Sequence, residues 1–175
     1  NGSSDSTADR ARAWSDRLPR LRVLDASTRR GPSAARNIAA SQAHGEVLLF
    51  CDADDVADRN WASALVAALE TADAASGSRR YDLLNTAPFG PSDWPEPTFT
   101  KKPLTHLPAA SSHNLGLRAE AFAAVGGFDE AMRAGEDVDL CWRLQLSGYR
   151  LVGAPDAIMQ IRRRTGLLAT YRQAL

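Results

Sequence analysis

Three aspartates fall within four residues at Asp52-Ala53-Asp54-Asp55, directly after the apolar run Glu46-Val47-Leu48-Leu49-Phe50-Cys51. Crowded carboxylates repel one another unless a cation or a proton intervenes. Hard divalent ions such as Mg²⁺ and Mn²⁺ prefer oxygen ligands, and Mg²⁺ is usually held by one or two carboxylates together with substrate phosphates. The D-x-D of Asp52 and Asp54 therefore fits a metal bridging protein and diphosphate; a solvated acidic loop before the next helix fits the same residues. A second acidic group, Gly135-Glu136-Asp137-Val138-Asp139, opens an amphipathic stretch. A carboxylate there can deprotonate an acceptor hydroxyl as a general base, or simply complement a helix dipole. The upstream Gly126-Gly127 allows a tight bend and close backbone approach.

The elements that must position these groups alternate between strand and helix patterns. Residues 4–17 read as a helix capped by Ser4 or Asp5, and Leu21–Leu24 as a short strand. Gly31-Pro32 opens a helix that Gly45 stops. The run at 46–51 fits a central strand buried on both faces. A helix is expected over Asn60–Glu70, with Trp61, Leu65, Ala68 and Leu69 on one side, and a strand over Tyr81–Thr86. Residues 87–110 are Pro-rich and irregular, a length that in a compact domain usually marks a functional or mobile loop. Leu115–Leu117 reads as a strand, Ala119–Val125 and Glu136–Leu146 as helices, and Tyr149–Val152 and Ala157–Ile161 as final strands. Thr165–Leu175 reads as a helix cut short. The alternation predicts a layered α/β fold, and ligands in open α/β sheets bind at the carboxyl ends of strands.

The 175 residues fit one domain or part of one. Lys+Arg and Asp+Glu are both 21, so the net charge is zero, which removes a general electrostatic argument for nucleic acid as partner. No run approaches the ~18 apolar residues of a bilayer-spanning helix. Cys51 and Cys141 both lie in apolar stretches and read as buried thiols rather than a disulfide framework. Arg162-Arg163-Arg164 is either a solvated edge or a contact to anionic lipid.

The fragments NGSSDST, GPSAARNIAASQAHGEVLLFCDADD, NLGLRAEAFAAVGGFDE and GEDVDLCWRLQLSGYRLV, in that order, resemble a family 2 glycosyltransferase with the GT-A fold over nearly the whole chain. The resemblance implies a three-layer α/β/α sandwich with a mixed, mostly parallel sheet, truncated by an N-terminal strand–helix–strand and by the C-terminal end. It implies a metal-assisted, inverting transfer from a nucleotide-diphosphate sugar to an acceptor hydroxyl, with Mg²⁺ or Mn²⁺ as cofactor. By the same resemblance, Asn1 lies at the base of the nucleotide, and Arg36 and Asn37 on a nucleotide-side helix. Asp52, Ala53 and Asp54 form the D-x-D, with Asp54 and Asp52 on the metal. Asn114 and Gly127 line the donor-sugar or acceptor pocket. Asp137, with Glu136 beside it, is the catalytic base. The implied partners are a UDP-sugar donor and a glycan, lipid-linked or small-molecule acceptor, in cell-envelope polysaccharide assembly; the expected location is the cytoplasm, with or without peripheral contact to the inner face of the membrane. The Q-x-x-R-W pattern of processive synthases is absent, which favours single-sugar transfer. A haloacid-dehalogenase-type phosphatase, with Asp52 as nucleophile, and a nucleotide-binding remnant without catalysis are the competing readings.

Overall fold

The computed structural model describes residues 2–85, 96–97 and 107–162. Asn1, most of the Pro-rich stretch and the expected helix from Thr165 lie outside them. The chain divides into two compact units, residues 1–44 and 45–175.

In the first unit, α1 (Thr7–Arg12) and α2 (Pro32–Ser41) are the helices. The Asp5 carboxylate accepts the Thr7 amide at 3.1 Å and the Thr7 hydroxyl at 2.6 Å, which fixes the turn before α1 and lowers the Asp5 pKa. The helix expected to reach Arg17 breaks into turns after Arg12. Pro32 occupies the first turn of α2, where its missing amide hydrogen costs nothing. Leu21–Leu24 forms no strand: no ladder partner is present for it among the described residues, and the Arg22 guanidinium is taken by the Gln42 carbonyl.

The second unit holds the sheet. Its strands are β1 (Val47–Cys51), β2 (Val56–Ala57), β3 (Ala74–Arg80), β4 (Glu96–Pro97), β5 (Asn114–Arg118) and β6 (Leu151–Gln160), interleaved with α3 (Trp61–Ala68), α4 (Ala119–Ala124) and α5 (Glu136–Leu146). The order is β1-β5-β3-β6-β2, with β4 beside β3. The sheet is mixed, as expected, but not mostly parallel: β3 with β6 is the one parallel pair among the described residues. The cause is β5, which runs back between β1 and β3 and separates two strands of the same direction. β1 is likewise not central here, since β5 is its one partner among the described residues.

Helices cover both faces. On one, Leu65 of α3 and Leu69 at its C-cap pack with Ala75, Ala154 and Ala157, and Val47, Leu49, Trp61 and Ala68 join them. On the other, Phe50 meets Phe122 and Phe128 with ring centroids 5.6 and 5.4 Å apart. Leu48 and Phe50 thus face α4 while Val47 and Leu49 face α3, the period of two expected of a strand.

The strand expected at Tyr81–Thr86 is displaced to β3. Its sequence, Ala-Ala-Ser-Gly-Ser-Arg-Arg, carries little β-propensity. At Gly77 a side chain is excluded because that of Asn114 crosses the strand. The amide of Asn114, fully buried, donates to the carbonyls of Ser78 (2.9 Å) and Ala157 (3.1 Å) and accepts Trp61 Nε1–H (2.8 Å). A Cβ at Gly77 would collide with this amide and with the Ala157 carbonyl. The Ala157 carbonyl is available because β6 bulges here: Gly77 pairs with Ala154 but Ser78 with Ile158. The same bulge, at Pro155-Asp156-Ala157, explains why one long strand reads as two in the sequence. Among the described residues no helix is long and apolar enough to cross a membrane.

Asn114→Leu should destabilise the protein by roughly 3 kcal/mol, because a buried indole N–H and two carbonyls lose their partner. Gly77→Ala should cost at least as much through overlap. Urea unfolding midpoints check both, and wild-type stability in either variant contradicts the bridge.

Candidate functional site

β1, β3 and β6 share a direction, so their carboxyl ends lie together, at the end of the sheet where β5 begins. Asp52 leaves β1 immediately after Cys51, whose partner is Asn114, the first residue of β5. Ligand oxygens of Asp52, Asp54 and Asp55 all lie within 4.8 Å of one another. Asp54 and Ala53 are exposed, and Asp52 and Asp55 are half-buried.

The turn is fastened to the end of β6. Asp55 Oδ1 accepts the Arg162 amide at 3.0 Å, and Arg162 Nε donates to the Asp54 carbonyl at 3.3 Å. The Asp55 pKa is raised, chiefly by burial; the Arg162 amide opposes the rise and the Asp54 and Asp52 charges add to it. Three hard oxygen donors whose charges crowd one another suit a hard divalent ion, which would relieve that repulsion. Of the basic run at 162–164, Arg162 is the member within the described residues, and it serves this turn.

The second acidic group opens α5 behind Gly135, a left-handed residue at φ 78°. Asp137 is half-buried; its Oδ1 accepts the Val138 amide at 2.8 Å and its Oδ2 the Ser112 amide at 3.4 Å. Ser112 lies two residues before β5. The strand register therefore brings Asp137 to the same end of the sheet as the aspartate cluster. Glu136, half-buried, is beside it.

Other expected site residues stand elsewhere. Asn114 does not face a ligand: it is 0% exposed, and its amide is spent on Trp61, Ser78 and Ala157. Gly127 is also buried and closes α4. Its amide donates to Phe122 and that of Gly126 to Ala123, both glycines having positive φ, the two-bond helix stop of a Schellman motif. Arg36 and Asn37 lie half-buried on α2, in the first unit. Asn1 is outside the described residues.

Sequence reasoning missed the Ser112 and Arg162 amides, because backbone donors leave no signature in residue type. It also missed Arg143, whose guanidinium pairs with Asp139 and donates to the carbonyls of Val125 and Gly127. The i,i+4 spacing of Asp139 and Arg143 was the available signal.

The model of glycosyl transferase family 2 matches residues 1–126, and that of glycosyl transferase family group 2 matches residues 99–175. The chain is 30% identical over 161 residues to the pre-mycofactocin glycosyltransferase of Mycobacterium tuberculosis, covering 84% of this chain and 33% of that protein. It is 29% identical over 164 residues to glycosyltransferase AglE of Haloferax volcanii, covering 90% of this chain and 53% of that protein. It thus spans a third to about a half of these relatives' length. The mannosyltransferase PcManGT from Pyrobaculum calidifontis, in complex with GDP-Man and Mn²⁺, matches with a TM-score of 0.73 at 24% identity, over 98% of this chain and 48% of that one. S. aureus TarS 1–349, in complex with UDP-GlcNAc, matches at 0.70 and 21% identity, over 94% and 48%. The phosphatase reading finds no support among these matches.

The thiols report on the same architecture. Cys51 is exposed, not buried as its apolar run suggested, and its thiol pKa is raised by partial burial and by the Asp52 and Asp55 charges. Burial pushes the Cys141 thiol up to about 12. Iodoacetamide at about pH 8 should therefore modify Cys51, more slowly than free cysteine, and spare Cys141 until urea is added. Intact-mass measurement reads the count, and rapid double labelling of the native protein contradicts the packing of α5.

Proposed function

The chain belongs to glycosyl transferase family 2 and has the GT-A fold, and from that premise we propose that it transfers a sugar from a nucleotide-diphosphate sugar to an acceptor hydroxyl, with inversion. The observation that best supports this is the carboxylate trio at the end of β1, standing at the same end of the sheet as Asp137. Asp52 and Asp54, with Asp55 beside them, would hold Mg²⁺ or Mn²⁺. Such an ion supplies positive charge opposite a diphosphate leaving group.

The chain's own residues supply the rest. Asp137 accepts the proton of the acceptor hydroxyl as that oxygen bonds to the anomeric carbon, while the bond to the nucleoside diphosphate breaks on the opposite face. The Val138 and Ser112 amides donate to the two carboxylate oxygens and hold the carboxylate in place. The Asp55–Arg162 link keeps the metal-side turn against β6. The donor is a UDP- or GDP-sugar, in line with the nucleotides bound in the TarS and PcManGT structures. The acceptor is a glycan, a lipid-linked sugar or a small molecule.

A panel of nucleotide-sugars, each with and without Mn²⁺, tests the reading by thermal unfolding. The true donor at about 100 times its Kd should stabilise the full-length protein by about 2.7 kcal/mol. Asp54→Ala should abolish the Mn²⁺-dependent part of that gain. No Mn²⁺-dependent stabilisation by any member of the panel defeats the proposal.

Asp137→Asn should lower turnover by about 10²–10⁴-fold and leave nucleotide affinity within about twofold. Full activity in this variant removes Asp137 as the base. Tight nucleotide binding by wild type without any turnover favours a binding domain over an enzyme.

A further inference from the structure

Residues 107–112 form no strand, yet Ala109, Ala110 and Ser112 are buried. Buried backbone groups need partners, and here α5 side chains provide them. Gln145 Nε2 donates to the Pro108 carbonyl at 2.8 Å, and Trp142 Nε1 donates to the Leu107 carbonyl at 3.1 Å. The Ala110 amide donates to Cys141 Sγ at 3.4 Å, and the thiol points back at the Ala110 carbonyl at 3.7 Å. The Ser112 amide donates to Asp137 Oδ2.

These contacts form a ladder. Residues 137, 141 and 145 make one row along the helix, and they meet residues 112, 110 and 108 in reverse order. Four helical residues rise about 6 Å, and two extended residues span about 6.6 Å. The two spacings match closely enough for three rungs. Pro108 fits its place because it lacks an amide hydrogen and offers a carbonyl alone. The last rung is the carboxylate of Asp137.

We propose that the 107–112 segment is a strap that sets the position of the Asp137 carboxylate, and that Gln145 and Trp142 are positioning residues for it. The inference rests on the reading of Asp137 as the base. The Ser112 rung hangs between two anchors. One is Asn114, whose side chain is held by Ser78 and Ala157 and whose backbone N–H donates to the Ser111 carbonyl at 3.1 Å. The other is the pair of carbonyls held by Gln145 and Trp142, which lie about one and a half to two helical turns from the acid. Releasing the second anchor lets the segment slide, and the donor to Oδ2 moves with it.

Gln145→Met and Trp142→Phe each remove one donor while keeping most of the side-chain volume. Both are made in the full-length protein and assayed with Mn²⁺ and UDP-N-acetylglucosamine, with GDP-mannose as a parallel donor; hydrogen exchange follows the Ser112 amide. The expected result is faster exchange at Ser112, a kcat lowered about 10- to 100-fold, and nucleotide affinity within about twofold of wild type. In an Asp137→Asn background neither variant should lower the residual rate further. An equal loss on top of Asp137→Asn, or a parallel loss of nucleotide affinity, means general loosening and overturns the proposal. The exchange arm needs no donor, and unchanged Ser112 protection in both variants overturns it alone. Full activity of Asp137→Asn by itself defeats the base assignment and, with it, the positioning role, whatever the exchange shows.

Discussion

One buried amide holds the working end of the sheet together. Asn114 joins α3 through the Trp61 indole, β3 through the Ser78 carbonyl and β6 through the Ala157 carbonyl, while its own backbone begins β5. A buried amide is expensive when unpaired and gives direction when satisfied. Both acidic groups depend on it. Its cross-strand partner Cys51 precedes Asp52, and two residues upstream of it Ser112 reaches Asp137. The lack of a side chain at Gly77 and the bulge in β6 are the accommodations the rest of the sheet makes for that side chain.

Around this hub the two acidic groups are held differently. The Asp52–Asp55 turn is short, exposed at Asp54, and loaded with like charge; the Arg162 amide and guanidinium tie it to the end of β6. The Asp55 pKa is raised chiefly by burial, and the neighbouring Asp54 and Asp52 charges add to the rise. Asp137 sits instead on the first turn of an eleven-residue helix whose buried face carries Leu140, Cys141 and Leu144. Under the proposed function a base has to be fixed relative to the reacting oxygen, whereas a metal-side turn has to admit and release a nucleotide, and the unequal restraint is in line with those two tasks.

What could be read in the sequence follows from what each residue's surroundings demand. β1 and α5 were legible because their apolar spacing reports burial directly, and the convergence of Asp52, Asp54 and Asp55 was legible because they are near neighbours in the chain. β3 was not: Ala74, Ala75 and Ser76 carry little strand propensity, and Gly77 lacks a side chain because Asn114 and the Ala157 carbonyl, both distant in sequence, occupy its space. The pocket-lining roles of Asn114 and Gly127 come from the family resemblance alone, and no local pattern carries them. One proved to be a structural bridge and the other a helix stop. The sheet's mixed directions were implied, but their balance depended on where β5 inserts, which no local pattern encodes.

The helix that carries Asp137 is restrained along two sides, and the two restraints do different work. Arg143 binds Asp139 and the carbonyls of Val125 and Gly127, so it ties α5 to the end of α4. An exposed ion pair alone contributes little, and at about 30% exposure this one is only half-sheltered. Its strength comes from the carbonyls, which at a helix end lack internal partners and concentrate negative charge. That joint limits rotation of α5 against α4. The 107–112 segment acts along the helix axis instead, through rungs spaced one helical turn apart. Rotation and translation are thereby constrained by separate contacts, and the carboxylate at the helix start inherits both constraints.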